Sequence, residues 1–591
     1  LTAKLQISQG GTSNNENRYK APYKEYGFET FGNNGLFYSN VPSLSKPVDE
    51  VVSSTAAETH SKLSRESSYQ GFFTLQYGRT LGDHTFDLTV GGEQTESITE
   101  GLTNIWVGQL VPEVDDPWGF DVNRTQQPVR DMFESTKRSF FGRFNYDFNK
   151  KYLIEAVARL DASWAFASGN RWGLSPSIGF GWVLSKEDFF KDNVSFVYFL
   201  KLKVNYGITG DDRVGLRLWQ ERYTVGLSDG YLFGTNNGIG LNPKELANPF
   251  ITWEKKETFN AGLEASLFNS KFDVGIEVFR NRTYDGFDGG VNQIYPMYAG
   301  FAGAVENYRE QYVWGSEFTL GYKANLGREV RLNTSMNFSF GNSVITKQIY
   351  NPNNLWYNTP EDWILIGTDP RRYSDSNMGL ITRGMLRTQA DVDALLAENP
   401  NYTFKGTVPQ VGWLYYEDTN EDGRIDESDL VPLYKRTNPL LNTGISVNLS
   451  YKDLSLSTNI LARIGGKAFY DSRSRTSPSA TTNVLSIWKD RWTPENPMEG
   501  RLPRFDDPSI GVNSDYWAVD GTMIRINNMT LSYKIPSKIA NRVGLGSARL
   551  LATGNNLWTI VNPLKYKDPY NPSAYNYPTI RTISLGLSVN L

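Results

Sequence analysis

Cysteine is absent from all 591 residues, and only two are histidine. Without thiols the chain has no structural disulfide and no thiolate metal site. With His60 alone and His84 inside the tight turn at 82–85, a zinc centre or a Ser-His-Asp triad has no material to work with. Long apolar runs are missing as well. None approaches the roughly 18 residues of a membrane-spanning helix, and residues 194–200 (VSFVYFL), about the longest run, have the length of a strand. An excess of basic charge is also missing. A net charge of −4 and a pI near 5.6 argue against nucleic acid as a partner. No repeat of roughly 40–50 residues marks a propeller, and no break in composition divides the chain into domains.

What is present is alternation. In residues 579–591, Ile583, Leu585, Leu587, Val589 and Leu591 alternate with Thr582, Ser584, Gly586, Ser588 and Asn590. A strand sends successive side chains to opposite faces, so this segment has one apolar and one wet face. The pattern recurs. Leu441, Ile445, Val447, Leu449 and Tyr451 alternate with small polar residues before a turn at Lys452-Asp453, and Leu454, Leu456, Ile460, Ala462 and Ile464 follow. Phe272, Val274, Ile276 and Val278 alternate with Asp273, Gly275 and Glu277, and Phe140, Phe144, Tyr146 and Phe148 with Arg143, Asn145 and Asp147. Further tight reversals fall at Gly82-Asp83, Asn149-Lys150-Lys151, Asn269-Ser270 and Leu326-Gly327, with a short turn at 187–190. Opposite them lie long segments at 102–135, 210–252, 286–306, 341–439, 466–521 and 561–578.

Short turns on one side and long loops on the other predict an all-β fold, a transmembrane antiparallel β-barrel of about 16 strands with a periplasmic C-terminus. A mean hydropathy of −0.45 is compatible with this, because half of each strand faces the lumen. The 14% aromatic content suits girdles at the two membrane interfaces.

The long loops, rich in Asn, Asp, Gly, Pro, Tyr and Trp, either bind or merely cap the barrel; only 388–396 has a helical pattern. Residues 418–429 match a calcium-loop spacing. Asp418, Asn420 and Asp422 stand at positions one, three and five, Gly423 allows the turn, and Arg424 offers its carbonyl oxygen. Asp426 binds directly or through water, and Asp429 closes the shell in place of the usual Glu. Such a Ca²⁺ would be structural; the bland alternative is a solvated acidic turn. The pairs Asp211-Asp212 and Asp506-Asp507 read as solvated loop charge rather than a hydrolase dyad. Arg143, Arg159 and Asp161 face the lumen, as a structural ion network or a grip on substrate. Trp253, Trp356, Trp363, Trp413 and Tyr415-Tyr416 either stack on sugar rings or pack loops together, with packing the favoured reading.

The ordered motifs resemble one family. Residues 159–163 with Phe166, then Asn170-Arg171-Trp172-Gly173 and Pro176-Ser177, are similar to the R-x-D-G-S-S-x-F…R-W-G-x-F-P-S signature of SusC/RagA-like TonB-dependent transporters. Ala162 replaces the usual Gly, and Trp164-Ala165 the Ser-Arg pair. In order follow 201–210 (KLKVNYGITG), 253–255 (WEK), 384–392 (GMLRTQADV), the 418–429 loop, 491–497 (RWTPENP), 523–536 (MIRINNMTLSYKIP), 554–558 (GNNLW) and Asp568-Pro569. Leu591 stands where an aromatic is commoner, and 309–317 matches only loosely.

The resemblance implies a barrel of about 22 strands around an N-terminal plug, so this chain would be the C-terminal portion of the barrel domain. It also implies a TonB box that couples to the inner-membrane TonB complex. Plug, TonB box and N-terminal periplasmic domain would then lie outside residues 1–591. The implied activity is non-enzymatic, active import of glycans or peptides across the cell outer membrane. The implied partner is a SusD-like lipoprotein, in a dimer of SusC–SusD-type heterodimers. A passive porin or an outer-membrane adhesin would share the alternation but not the ordered motifs.

Overall fold

The computed structural model describes residues 1–21, 26–31, 37–47, 57–111, 114–124, 126, 128–215, 217–226, 232–233, 236–237, 240–289, 303–347, 377–434, 437–476, 485–568 and 577–590. Trp356, Trp363, Leu591 and much of the loops at 286–306 and 341–376 lie outside them. Sixteen long strands make one sheet. Numbered among themselves, they are β1 (Thr2–Lys20), β2 (Glu58–Leu81), β3 (His84–Val107), β4 (Val129–Phe148), β5 (Tyr152–Ser163), β6 (Trp172–Trp182), β7 (Val197–Asp211) and β8 (Glu254–Leu267). The others are β9 (Phe272–Gly289), β10 (Val305–Leu326), β11 (Val330–Lys347), β12 (Leu441–Tyr451), β13 (Leu454–Ile464), β14 (Met523–Ile535), β15 (Ser547–Val561) and β16 (Thr582–Asn590). Each pairs with its successor in chain order, antiparallel throughout.

The register carries the alternation from strand to strand. Tyr451, Leu454, Tyr533, Leu550 and Leu587 form one row across the last five strands. The row beside it runs Arg331, Ser450, Ser455 and Ser532. A one-residue slip would bring the second row onto the apolar face, so the pattern itself holds the register. The apolar row is solvent-accessible, with Leu587 61% exposed and Leu585 85%. A soluble sheet would bury this face. A barrel in lipid presents it outward. At the short-turn end, aromatic rings collect: His84 lies 4.9 Å from Phe148 and Phe86 5.1 Å from Tyr146, while Tyr152 meets Trp182 and Phe272 meets Tyr322.

The tight turns use left-handed backbone at Gly82, Asn149, Lys150, Asn269, Ser270, Gly327 and Lys452. This handedness matches the twist of the flanking strands. Among the described residues three α-helices interrupt the strands: α1 (Asp188–Asn193), α2 (Gln389–Glu398) and α3 (Ser537–Arg542). Helix α2 falls where the sequence indicates a helix, and α1 begins within the short turn read at 187–190. Thr388 caps α2 by accepting from the Asp391 amide, and Asp391 accepts in return from the Thr388 amide at 2.8 Å. Helix α3 escapes the sequence reading because six residues are too few to show a helical period.

At the long-loop end, residues 377–434, 467–476 and 485–520 build a cap. Its small ladders join Thr382–Met385 to Leu414–Tyr416, Thr403–Phe404 to Arg424–Ile425, and Lys467–Phe469 to Ala518–Asp520. Isolated bridges at Leu380–Ser514 and Arg491–Leu502 tie the two segments further.

Candidate functional site

Two surfaces are built for contact, the polar face of the sheet and the cap above it. On the polar face of β3–β10, charges are neutralised across strands. Arg159 reaches Asp161 at 2.8 Å and Glu93 at 3.2 Å, and it donates to Ser139, whose hydroxyl donates in turn to Asp161. Arg143 pairs with Glu155 at 2.5 Å, Lys323 with Asp273 at 2.8 Å, and Lys203 with both Glu264 and Glu277 at 3.0 Å. The wall thus brings together the predicted lumen residues Arg159 and Asp161, with Arg143 two strand positions from Arg159's partner Phe141. Glu93 is the member that sequence reading missed. It lies 66 residues from Arg159, and only the parity of β3, which sets it on the face of Asp87, points to it.

The cap is held by buried polar staples within an aromatic core. Leu380, Tyr402, Phe404, Leu414, Tyr416, Ile425, Trp488 and Trp517 pack together. Trp413 and Tyr416 are buried, as is Trp253, whose indole donates to the Arg171 carbonyl at 2.8 Å; these aromatics pack loops. The Tyr402 hydroxyl accepts from the Tyr416 amide at 2.8 Å and donates to the Tyr416 carbonyl at 3.1 Å. Arg387 donates to the carbonyls of Pro497, Met498 and Gly500. Arg475, buried against Trp517, donates to Val512 and Asn513.

One member of the second carboxylate pair departs from expectation. Asp507 is not solvated loop charge. It is 2% exposed and accepts from the amides of Leu414 and Ser509, each at 2.8 Å, and from the Ser509 hydroxyl. Burial pushes its carboxyl up to about 6, against the opposing pull of Ser509 and the Leu414 amide. Those bonds offset its removal from water. Asp506 beside it pairs with Arg504, and Asp212 pairs with Lys137 on β4.

The 418–429 loop closes through its own backbone. Asp418 accepts from the amides of Asp422 and Gly423, Asn420 from Asp422, and Asp422 from Arg424. Gly423 takes φ +79° at the sharp bend. Asp426 accepts from the Ser428 amide. Asp429 is fully buried, with one oxygen on the Thr419 amide and the other on the Asp426 amide. Burial pushes its carboxyl up, with Asp418 adding to the rise. The all-oxygen donors at 418, 420, 422 and 424 suit a hard cation, whereas Asp429 is turned into the fold as a staple. Among the described residues no group of three or more His, Asp or Glu side chains is drawn together as a metal cage.

No family model matches the chain. Curated relatives do. It is 28% identical over 562 residues to the TonB-dependent receptor P26 of Formosa agariphila, covering 87% of this chain and 52% of that protein. Against the TonB-dependent receptor SusC of Bacteroides thetaiotaomicron it is 27% identical over 543 residues, covering 87% and 49%. The chain spans about half the length of the curated relatives it matches. Among solved structures, the RagAB peptide transporter superposes with a TM-score of 0.75 at 20% identity, over 99% of this chain and 60% of that one. The chain is SusC/RagA-like. Its sheet matches part of the barrel in that structure, and the strand-borne motifs of residues 159–177 sit on β5 and β6, beside the Arg159 ion network.

Proposed function

We propose that this chain forms the barrel wall of an outer-membrane importer that takes up oligomeric nutrients, glycan or peptide, by TonB-dependent transport without chemistry on the cargo. The observation that carries the reading is the likeness to TonB-dependent receptors along 87% of the chain. A SusD-like lipoprotein is the partner that the likeness to SusC and to the RagAB transporter suggests for the cap at the long-loop end of the wall. In this reading the cap belongs to a dimer of SusC–SusD-type heterodimers, and transport is driven through the TonB complex. The loop at 418–429 is the candidate structural Ca²⁺ site, with Asp418, Asn420, Asp422, the Arg424 carbonyl and Asp426 as ligands and Asp429 as the staple behind them. Deletion of the gene in its host, with uptake of fluorescent oligosaccharides and oligopeptides as the readout, tests the proposal. One cargo class should be lost on deletion, and its uptake should stop when the proton gradient is collapsed. Unchanged uptake, or passage that ignores the gradient, would instead mark a passive pore.

A further inference from the structure

The polar face of the wall is charged in two different ways. From β3 to β10 it carries Asp87, Asp147, Glu155, Glu264, Asp273 and Glu277 among its cations. The six strands β11–β16 contain no Asp or Glu at all. At their short-turn end the cations gather. Arg331 shares a row with Ser450, Ser455 and Ser532, and Lys534 lies directly opposite Arg549 across the β14–β15 ladder. With Arg328 and Lys452 from the adjoining turns, they line a cavity of about 390 Å³ in which five cations face only Glu329 and Asp453. Glu329 is engaged by Lys452 at 3.1 Å. Arg328, Arg331, Lys534 and Arg549 are exposed and make no ion pair among the described residues. Like charges directly opposite in a sheet are destabilising, so the Lys534–Arg549 pair costs stability unless an anion from elsewhere sits between them.

We propose that this corner of the inner mouth seats an acidic polypeptide surface, whose Asp and Glu side chains pair with Arg331, Lys534 and Arg549. The assignment of this end to the periplasm rests on the importer reading above. A passing anionic cargo fits less well. Higher on the same strands the polar face offers neutral groups that bond one another, such as Asn459 with Asn528 and Ser457 with Asn448. A transported polyanion would meet a cluster of cations at the exit, separated by a neutral stretch from Arg463 and the Asp568-paired Arg525 at the far end of the same strands, and transit needs many weak sites rather than one strong one. A stationary partner gains from the same arrangement, because several adjacent charge pairs fix its orientation.

The test places a photo-crosslinking p-benzoylphenylalanine at Ser450 or Ser455, neutral positions that line the cavity, in the complete gene in its native host. Mass spectrometry then identifies the attached molecule. The expected adduct is a peptide rich in Asp and Glu, with a yield that falls about tenfold in Arg331→Glu/Lys534→Glu/Arg549→Glu and is kept in Arg331→Lys/Arg549→Lys. An adduct with glycan, with lipid or with a peptide lacking carboxylates would overturn the proposal, as would no adduct or a yield indifferent to charge reversal. Should the reversed variant fail to reach the membrane, the identity of the adduct in the otherwise native protein still decides. Uptake measured in the same strains separates the two readings. Gradient-independent uptake sinks the importer while leaving an acidic adduct intact, and normal import with a non-acidic adduct sinks only the docking site.

Discussion

The wall and the cap are made from one chain and solve opposite problems. In the wall, Leu550, Leu585 and Leu587 point outward and Ser455, Asn459 and Thr530 inward, so the apolar side is the accessible one. In the cap, Trp517, Tyr416, Leu380 and Ile425 are fully buried, as in an ordinary water-soluble domain. The difference shows that hydrophobic burial is a statement about the surrounding solvent. The wall needs lipid to cover its apolar face, whereas the cap carries its own interior through the water above.

The largest expected effect is in the cap. Trp517→Ala should cost about 3–5 kcal/mol, because it removes a fully enclosed indole that packs against Tyr470, Trp488 and Tyr516. Limited proteolysis of residues 377–520 should accelerate while the heat-resistant mobility of the barrel on electrophoresis stays unchanged. Loss of both together would show that cap and wall unfold as one unit and would end the contrast. Next in size is a reversal on the wall. Leu585→Arg should cost about 2–4 kcal/mol near the bilayer midplane, whereas Ser584→Arg, one residue away on the wet face, should fold nearly normally. Equal penalties in a detergent unfolding titration would mean that β16 has no lipid face.

These two regions were also unequally legible in the sequence. The wall was readable because period-two alternation is local. Every tight turn named above falls between paired strands, and the count of about 16 spanning strands agrees with the sheet. The cap was not, because its core unites residues as distant as Leu380 and Trp517 with no period between them. Asp507 shows the cost of local reading. Next to Asp506 in a polar loop it looks solvated, and only the fold of Leu414 and Ser509 around it reveals a buried acceptor. Glu93 and Asp429 are similar cases, since their partners Arg159 and Thr419 become neighbours only through pairing and loop closure.

Asp507 supplies a third, smaller test of the cap. Its carboxyl titrates near 6 when folded and near the ordinary carboxylate value, about 4, when unfolded. The stability it contributes is therefore complete below about pH 4 and is lost as pH rises through about 6, at up to roughly 1.4 kcal/mol per pH unit. Asp391, held low by the Thr388 amide, and Glu427, held low by Lys405, titrate in the opposite sense. The decisive quantity is thus the difference between wild type and Asp507→Asn in hydrogen exchange of the Leu414 and Ser509 amides. That difference should shrink as pH rises from about 4.5 to about 7, across the folded midpoint. A constant difference would place the Asp507 charge in water.

The smallest effect expected is calcium stabilisation of the 418–429 loop. Backbone amides already satisfy much of it, with Gly423 donating to Asp418 at 2.6 Å and both oxygens of Asp429 engaged. A bound cation would add the relief of repulsion among Asp418, Asp422 and Asp426, about 1–2 kcal/mol at a concentration near ten times the dissociation constant. Asp422→Ala should abolish the rise in cap melting temperature on adding Ca²⁺ and leave the metal-free value nearly unchanged. Asp429→Ala should instead lower the metal-free value by about 1–3 kcal/mol, because it strands the Thr419 and Asp426 amides inside the cap. If chelation alters neither melting nor proteolysis in the wild-type protein, the loop is a self-closed acidic turn, held by its own side chain–backbone hydrogen bonds together with buried Asp429.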